Sequence, residues 1–143
     1  MDGVSVALVG AMLAQGALAL ALLWYLGTIR VPMIVRGEVR IRDIAVSRQG
    51  WPERERQISN AVDNQFQLPV LFYLACGLAL ALGPSWVTLA LAWGFVVSRY
   101  VHAAIHITDN NVIRRFWAFT VGLGLLTLLW LVVAAHLIAA ARF

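Results

Sequence analysis

The stretch Arg56-Gln57-Ile58-Ser59-Asn60-Ala61-Val62-Asp63-Asn64-Gln65-Phe66-Gln67-Leu68-Pro69 runs without interruption into the apolar residues 70–82. At about 100° per residue, Arg56, Asn60, Asp63, Asn64 and Gln67 fall within roughly a 100° arc of one helix face. A guanidinium, a carboxylate and three carboxamides that enter a bilayer together find no partner in hydrocarbon, where a charge costs at least about 2.5 kcal/mol. Their face must meet protein or water. It is therefore expected to be the seam of a helical bundle and the wall of a candidate site.

The rest of the chain supplies the bilayer. Of 143 residues, 62% are hydrophobic and 13% charged, with a mean hydropathy of +0.81. Such a composition excludes a soluble domain of this size. The length accommodates four spans of about 20 residues with their connections, leaving no room for a soluble module. The net charge of +4 comes entirely from arginine, since the chain has no lysine. Most of it sits in one loop, which points to membrane topology rather than a nucleic-acid partner. Cys76 stands alone inside an apolar run, where it reads as a small core residue without a disulfide partner.

Residues 4–27 are apolar apart from Ser5 and Gln15 and form the first span. Without a basic n-region or a convincing cleavage site, this span is expected to be retained rather than removed as a signal. Gln15 reads as a packing polar group near its middle. Residues 28–56 carry Arg30, Arg36, Arg40, Arg42, Arg48, Arg54 and Arg56 among Glu38, Asp43, Glu53 and Glu55, as a long solvated loop. Pro52 fits a first helical position, with Glu53 and Glu55 beside the positive end of the helix dipole. The second helix is expected over 52–82, kinked at Pro69 because proline removes the donor for the Gln65 carbonyl. A tight turn at Gly83-Pro84-Ser85 leads to a third helix over 86–106, and a polar turn at residues 108–111 to a fourth over 112–141. The expected architecture is an all-α integral membrane bundle of four transmembrane helices in one domain, residues 1–143.

The arginines also predict sidedness. Seven lie in the first loop and Arg99, Arg114 and Arg115 flank the third, against Arg142 on the opposite side. The positive-inside rule then makes the first and third loops cytoplasmic and both termini non-cytoplasmic. This brings the polar face of the second helix level with Arg99, His102 and His106 of the third and Arg115 of the fourth. Arg30, Arg56 and Arg115 could form a guanidinium cluster suited to a carboxylate, a phosphate or a thiolate. Asp63 needs a cationic partner, for which Arg56, Arg99 and Arg115 are the candidates. His102 and His106, with Asp109 three residues on, have the spacing of a helical metal pair. Without a second ligand-bearing motif they read instead as hydrogen-bonded interface residues, and no metal is expected.

These residues resemble a known family, the membrane-associated proteins in eicosanoid and glutathione metabolism (MAPEG). Arg56, Asn60, Asp63, Asn64 and Pro69 are similar to the family's second-helix pattern. A second register, Asn64-Gln65-Phe66-Gln67-Leu68-Pro69, resembles the Asn-x-x-Glu-x-Pro form of a bacterial branch, with Gln67 in place of the acid. Arg99, His102 and His106 are similar to the family's Arg-x-x-His-x-x-x-Tyr, with histidine replacing tyrosine, and Arg115 to the arginine that opens its fourth helix. The resemblance implies a homotrimer in a bacterial inner membrane, with glutathione as co-substrate between subunits near the cytoplasmic leaflet. Arg30, Arg56, Asn60, Asp63, Asn64, Gln67, Arg99, His102 and His106 are then the ligand-binding candidates, and Arg115 the catalytic one, stabilising the thiolate. The implied activity is conjugation of glutathione to, or its use in reducing, a lipophilic electrophile that arrives through the membrane lipids. The other reading is a non-catalytic scaffold or accessory subunit whose polar seam is structural.

Overall fold

The computed structural model describes residues 1–141; Arg142, the arginine assigned to the non-cytoplasmic side, lies outside them. The elements are α1 (Gly3–Val35), α2 (Ile41–Ile44), α3 (Glu53–Asp63), α4 (Leu68–Leu82), α5 (Trp86–Ile107) and α6 (Val112–Ala140), with 3-10 turns at Arg48–Gly50 and Asn64–Phe66. Four stretches among the described residues are long and apolar enough to cross a membrane: α1, α3 with α4, α5 and α6. The protein is an all-helical integral membrane protein.

Two helices differ from the sequence expectation. The first continues past Gly27 to Val35, with Pro32 inside it, and its 33 residues span about 50 Å. That exceeds the hydrocarbon thickness of about 30 Å, so one end projects from the bilayer. A tertiary contact accounts for the extension, since Arg30 on this added segment reaches across to α3. The second helix is not one kinked rod over 52–82 but two helices separated by a 3-10 turn. Pro69 is again responsible, because it withdraws the donor for Gln65 and then sits in the first turn of α4, where proline is tolerated. Gln67, at φ −104° and ψ −97°, redirects the chain between the two halves.

Local chemistry sets the remaining boundaries. The Asp2 carboxylate caps α1 by accepting from the Ser5 amide. Ser85 and Thr88 form a reciprocal capping box at the start of α5. The Asn111 side chain accepts from the Arg114 amide at the start of α6. The arginine-rich connection is less solvated than expected, for Val39 and Trp51 are buried in it. Gly50 folds tightly there, since a Cβ at that position would lie 2.8 Å from the Asp43 carbonyl oxygen.

The bundle has two apolar centres. One gathers Leu8 and Ala11 of α1, Phe72 and Cys76 of α4, Phe95 of α5 and Leu129 of α6, with Phe72 and Phe95 stacked at 4.7 Å between ring centroids. The other joins Leu18, Leu22 and Leu26 of α1 to Ile58 and Val62 of α3 and Ala103 of α5. Between α5 and α6 the backbones approach closely: a Cβ on Gly122 would stand 2.7 Å from Ser98 Oγ. The break in the second span lies between the two centres, so its polar groups are packed on one side and open on the other.

Candidate functional site

A polar furrow follows the open side of α3 and the helix break, with α5 and α6 facing it. One recess, about 230 Å³, is lined by Asn64, His102, Val112, Arg115, Phe116 and Phe119. The middle recess, about 270 Å³, is lined by Asn60, Asp63, Asn64, Gln67, His106 and Arg115. An outer recess of similar size adds Arg48, Glu53, Arg56, Gln57 and Asn110. Asn64 and Arg115 belong to the first two recesses and Asn60 to the last two, which makes the three contiguous.

In a continuous helix the pairs Asn60/Asp63 and Asn64/Gln67 would share one face, one turn apart. Across the 3-10 turn and the bend at Gln67 both pairs still line the middle recess. On the facing side, α6 opens with Arg115, half-buried, whose Nη1 donates to the Asn110 Oδ1. Asn110 holds a left-handed backbone, φ 51°, in the turn before α6, a conformation that asparagine tolerates better than most residues. His102 and His106 stack edge-on at 5.7 Å between ring centroids, both buried. Each has an Nδ1 without a hydrogen-bond partner among the described residues.

Three predicted site residues have partners other than those expected. Arg30 joins neither Arg56 nor Arg115; its Nε donates to the buried Glu55 carboxylate at 2.6 Å and its Nη2 to Ser59 Oγ at 3.2 Å. Trp51 covers it at 5.0 Å. Arg99 is wholly buried behind the furrow, donating Nη2 to the Asn64 carbonyl at 3.0 Å and lying 5.9 Å from the Phe119 ring. Asp63 pairs with none of Arg56, Arg99 and Arg115 but with Arg48, through both guanidinium Nη atoms. It ends α3, where its carboxylate meets the 3-10 turn that carries Arg48. The pair raises the Arg48 pKa above the ordinary arginine value, so this guanidinium stays charged. Asp109 turns to Arg114 at 3.1 Å rather than to the histidines. Among the described residues, no three His, Cys, Asp or Glu side chains come together as a metal site.

Sequence reasoning missed Gln57, whose Nε2 donates to the His106 carbonyl at 2.6 Å and ties α3 to the end of α5. It also missed Arg48, Asn110 and the aromatic pair Phe116 and Phe119. The heptad-like offset from Arg56 to Asp63 could not point to Arg48, because that contact is tertiary. Phe119, one turn beyond Arg115, did carry a legible helical spacing.

The furrow offers three guanidiniums, Arg48, Arg56 and Arg115, against the carboxylates of Glu53 and Asp63. It runs from charged groups at one end, through amides, to aromatic rings at the other. Such a surface suits a ligand with an anionic, hydrogen-bonding body and an apolar or polarisable tip. Together, the fold and furrow define a polytopic four-helix membrane protein with a buried-edge polar site. The family model for the MAPEG family matches residues 8–135, most of the chain, and the protein belongs to the MAPEG family. Comparison with curated proteins and with solved structures returns no match.

Proposed function

We propose that this protein binds glutathione, or a similar anionic thiol, in the furrow and joins it to a lipophilic electrophile, or uses it to reduce one. The observation that carries this reading is the convergence of Asn60, Asp63, Asn64, Gln67, His106 and Arg115 on one recess that opens beside Phe116 and Phe119. Asn60, Asn64 and Gln67 supply amide donors and acceptors for a peptide-like body, and Arg56 an exposed cation for a carboxylate. Arg115 carries the thiol. A guanidinium beside a thiol favours its thiolate, the nucleophilic form. In conjugation the sulfur lone pair forms a C–S bond as the electrophile's leaving group departs with its electron pair. The remaining catalytic effect is positioning and charge stabilisation.

In this proposal the protein is a homotrimer of the bacterial-type branch in the inner membrane, the furrow lies at a subunit interface, and the electrophile enters from the lipids. Both termini face away from the cytoplasm, and the first and third connections face it. The deciding experiment adds glutathione to purified protein and follows thiolate absorbance. A thiolate band in wild type that disappears in Arg115→Ala, together with turnover of a lipophilic aryl halide, supports the proposal; no band and no turnover sink it.

A scaffold or accessory role is the second reading. It is favoured by how many polar groups already satisfy one another inside the protomer: Arg30 with Glu55, Arg48 with Asp63, Arg99 with the Asn64 carbonyl, and Gln15 with Gln65.

A further inference from the structure

Two buried amides lie on the side of the helix break opposite the furrow. Gln15, at the middle of α1 and fully buried, donates Nε2 to Gln65 Oε1 at 3.0 Å. Gln65, also buried, donates its own Nε2 to the Ala61 carbonyl at 3.3 Å. Gln65 belongs to the 3-10 turn Asn64–Phe66. Its neighbour Asn64 and the next-but-one Gln67 line the furrow, while Gln65 points into the bundle.

Neither amide is needed merely to fill space. An apolar residue packs as well in the middle of a membrane helix, whereas an amide there costs free energy unless it is bonded. What the pair does is hold the break. Pro69 cannot donate to the Gln65 carbonyl, so the helical register is free to drift at this point. Four side-chain restraints remain: the Gln15 amide on the Gln65 side chain, the Gln65 side chain on the Ala61 carbonyl, the Asn64 side chain on the Asn60 carbonyl, and Arg99 on the Asn64 carbonyl. A change of setting in the turn would rotate Asn64 and Gln67 away from Arg115.

We infer that Gln15 is a positioning residue: through Gln65 it holds the 3-10 turn in the setting that presents Asn64 and Gln67 to the ligand. This rests on the furrow being the thiol site. Gln15 touches no furrow group itself, and Arg115 is held separately by Asn110 on the other side of the recess. Loss of the clasp therefore weakens binding and leaves the chemical step intact.

The test uses the full-length protein in lipid nanodiscs, with glutathione and a lipophilic aryl halide. Gln15→Leu is expected to raise the KM for glutathione about tenfold, as loss of one interhelical hydrogen bond allows, with kcat and the KM for the aryl halide unchanged. Gln65→Leu is expected to do the same, and the double variant to be no worse than either single one, because the two amides act as one device. A merely structural role would instead reduce the amount of active protein, lowering kcat at constant KM, and that outcome overturns the inference. So does a wild-type KM in both single variants. Should Gln15→Leu not assemble, Gln15→Met keeps the length without the donor and is read in the same way. If wild type itself fails to bind glutathione, the thiol reading fails separately. Amide exchange at residues 64–67 then decides the clasp: faster exchange in Gln15→Leu supports it, and unchanged exchange overturns it.

Discussion

Arg115 stands half-buried in the first turn of α6, facing Asn60, Asp63, Asn64 and Gln67 across the middle recess. Replacing it with alanine is expected to lower kcat/KM about 100- to 1,000-fold, the scale of removing a charge-stabilising donor, while helix content by circular dichroism stays that of wild type. Arg48 and Asp63 form a pair at the furrow's outer wall, roughly half exposed on both sides. Arg48→Ala and Asp63→Ala should each change stability by less than about 1 kcal/mol, and a double-mutant cycle on glutathione affinity should show them coupled. The buried counterpart behaves differently. Arg30→Ala leaves the Glu55 carboxylate inside the bundle without its cation. Arg30 is about a third exposed, 35%, so the loss falls below the about 3–5 kcal/mol of a fully buried pair, at about 2–3 kcal/mol. Adding Glu55→Gln to Arg30→Ala should recover part of it in a thermal melt. Glu55 was legible in the sequence only as a dipole-favoured acid at a helix start. Its burial depends on α1 continuing to Arg30, and no pattern within residues 52–56 encodes that.

The element that gives the site its shape is the broken second span. On a straight helix Asn60/Asp63 and Asn64/Gln67 would line one face, one turn apart. The break at Asn64–Phe66 bends that face, and both pairs line one recess. Pro69→Ala restores the N–H that can bond the Gln65 carbonyl, and the chain there can wind into continuous helix. The expected result is slower amide exchange across residues 64–70 with weaker glutathione binding, a gain in local order accompanied by a loss of function. The α5–α6 contact is tight at Gly122 for a different reason. Gly122→Ala puts a methyl against Ser98 Oγ, 2.7 Å from the ideal Cβ position, next to the buried Arg99. Overpacking of this kind costs about 1–3 kcal/mol and should appear as a lower melting temperature together with displaced Arg99 and Phe119.

At the scale of the whole molecule, four apolar spans bring polar residues distant in sequence to one level of the bundle. The exposed faces of α1, α5 and α6 carry large apolar side chains such as Leu20, Trp24, Val97, Val101, Trp117 and Val121, as surfaces in contact with lipid or with other subunits do. In the proposed homotrimer, light scattering of the detergent-solubilised protein should give three times the protomer mass of 15.7 kDa; a monomer at all concentrations would remove the subunit-interface site. Reporter fusions at the two termini should both be active on the non-cytoplasmic side.

Composition and periodicity alone determined that this chain is an all-helical membrane bundle of four spans, because burying apolar residues in lipid leaves few other solutions for the backbone. They also singled out most of the furrow, since Asn60, Asp63, Asn64, Gln67, His106 and Arg115 are polar groups that lipid cannot satisfy. Partnership was decided by the tertiary structure. It turned Arg30 to Glu55, Arg48 to Asp63, Arg99 to the Asn64 carbonyl and Gln15 to Gln65, through contacts spanning 15 to 50 residues of sequence. Helical spacing records the face on which a side chain lies, but the partner that comes within about 3 Å of it depends on how separate helices pack.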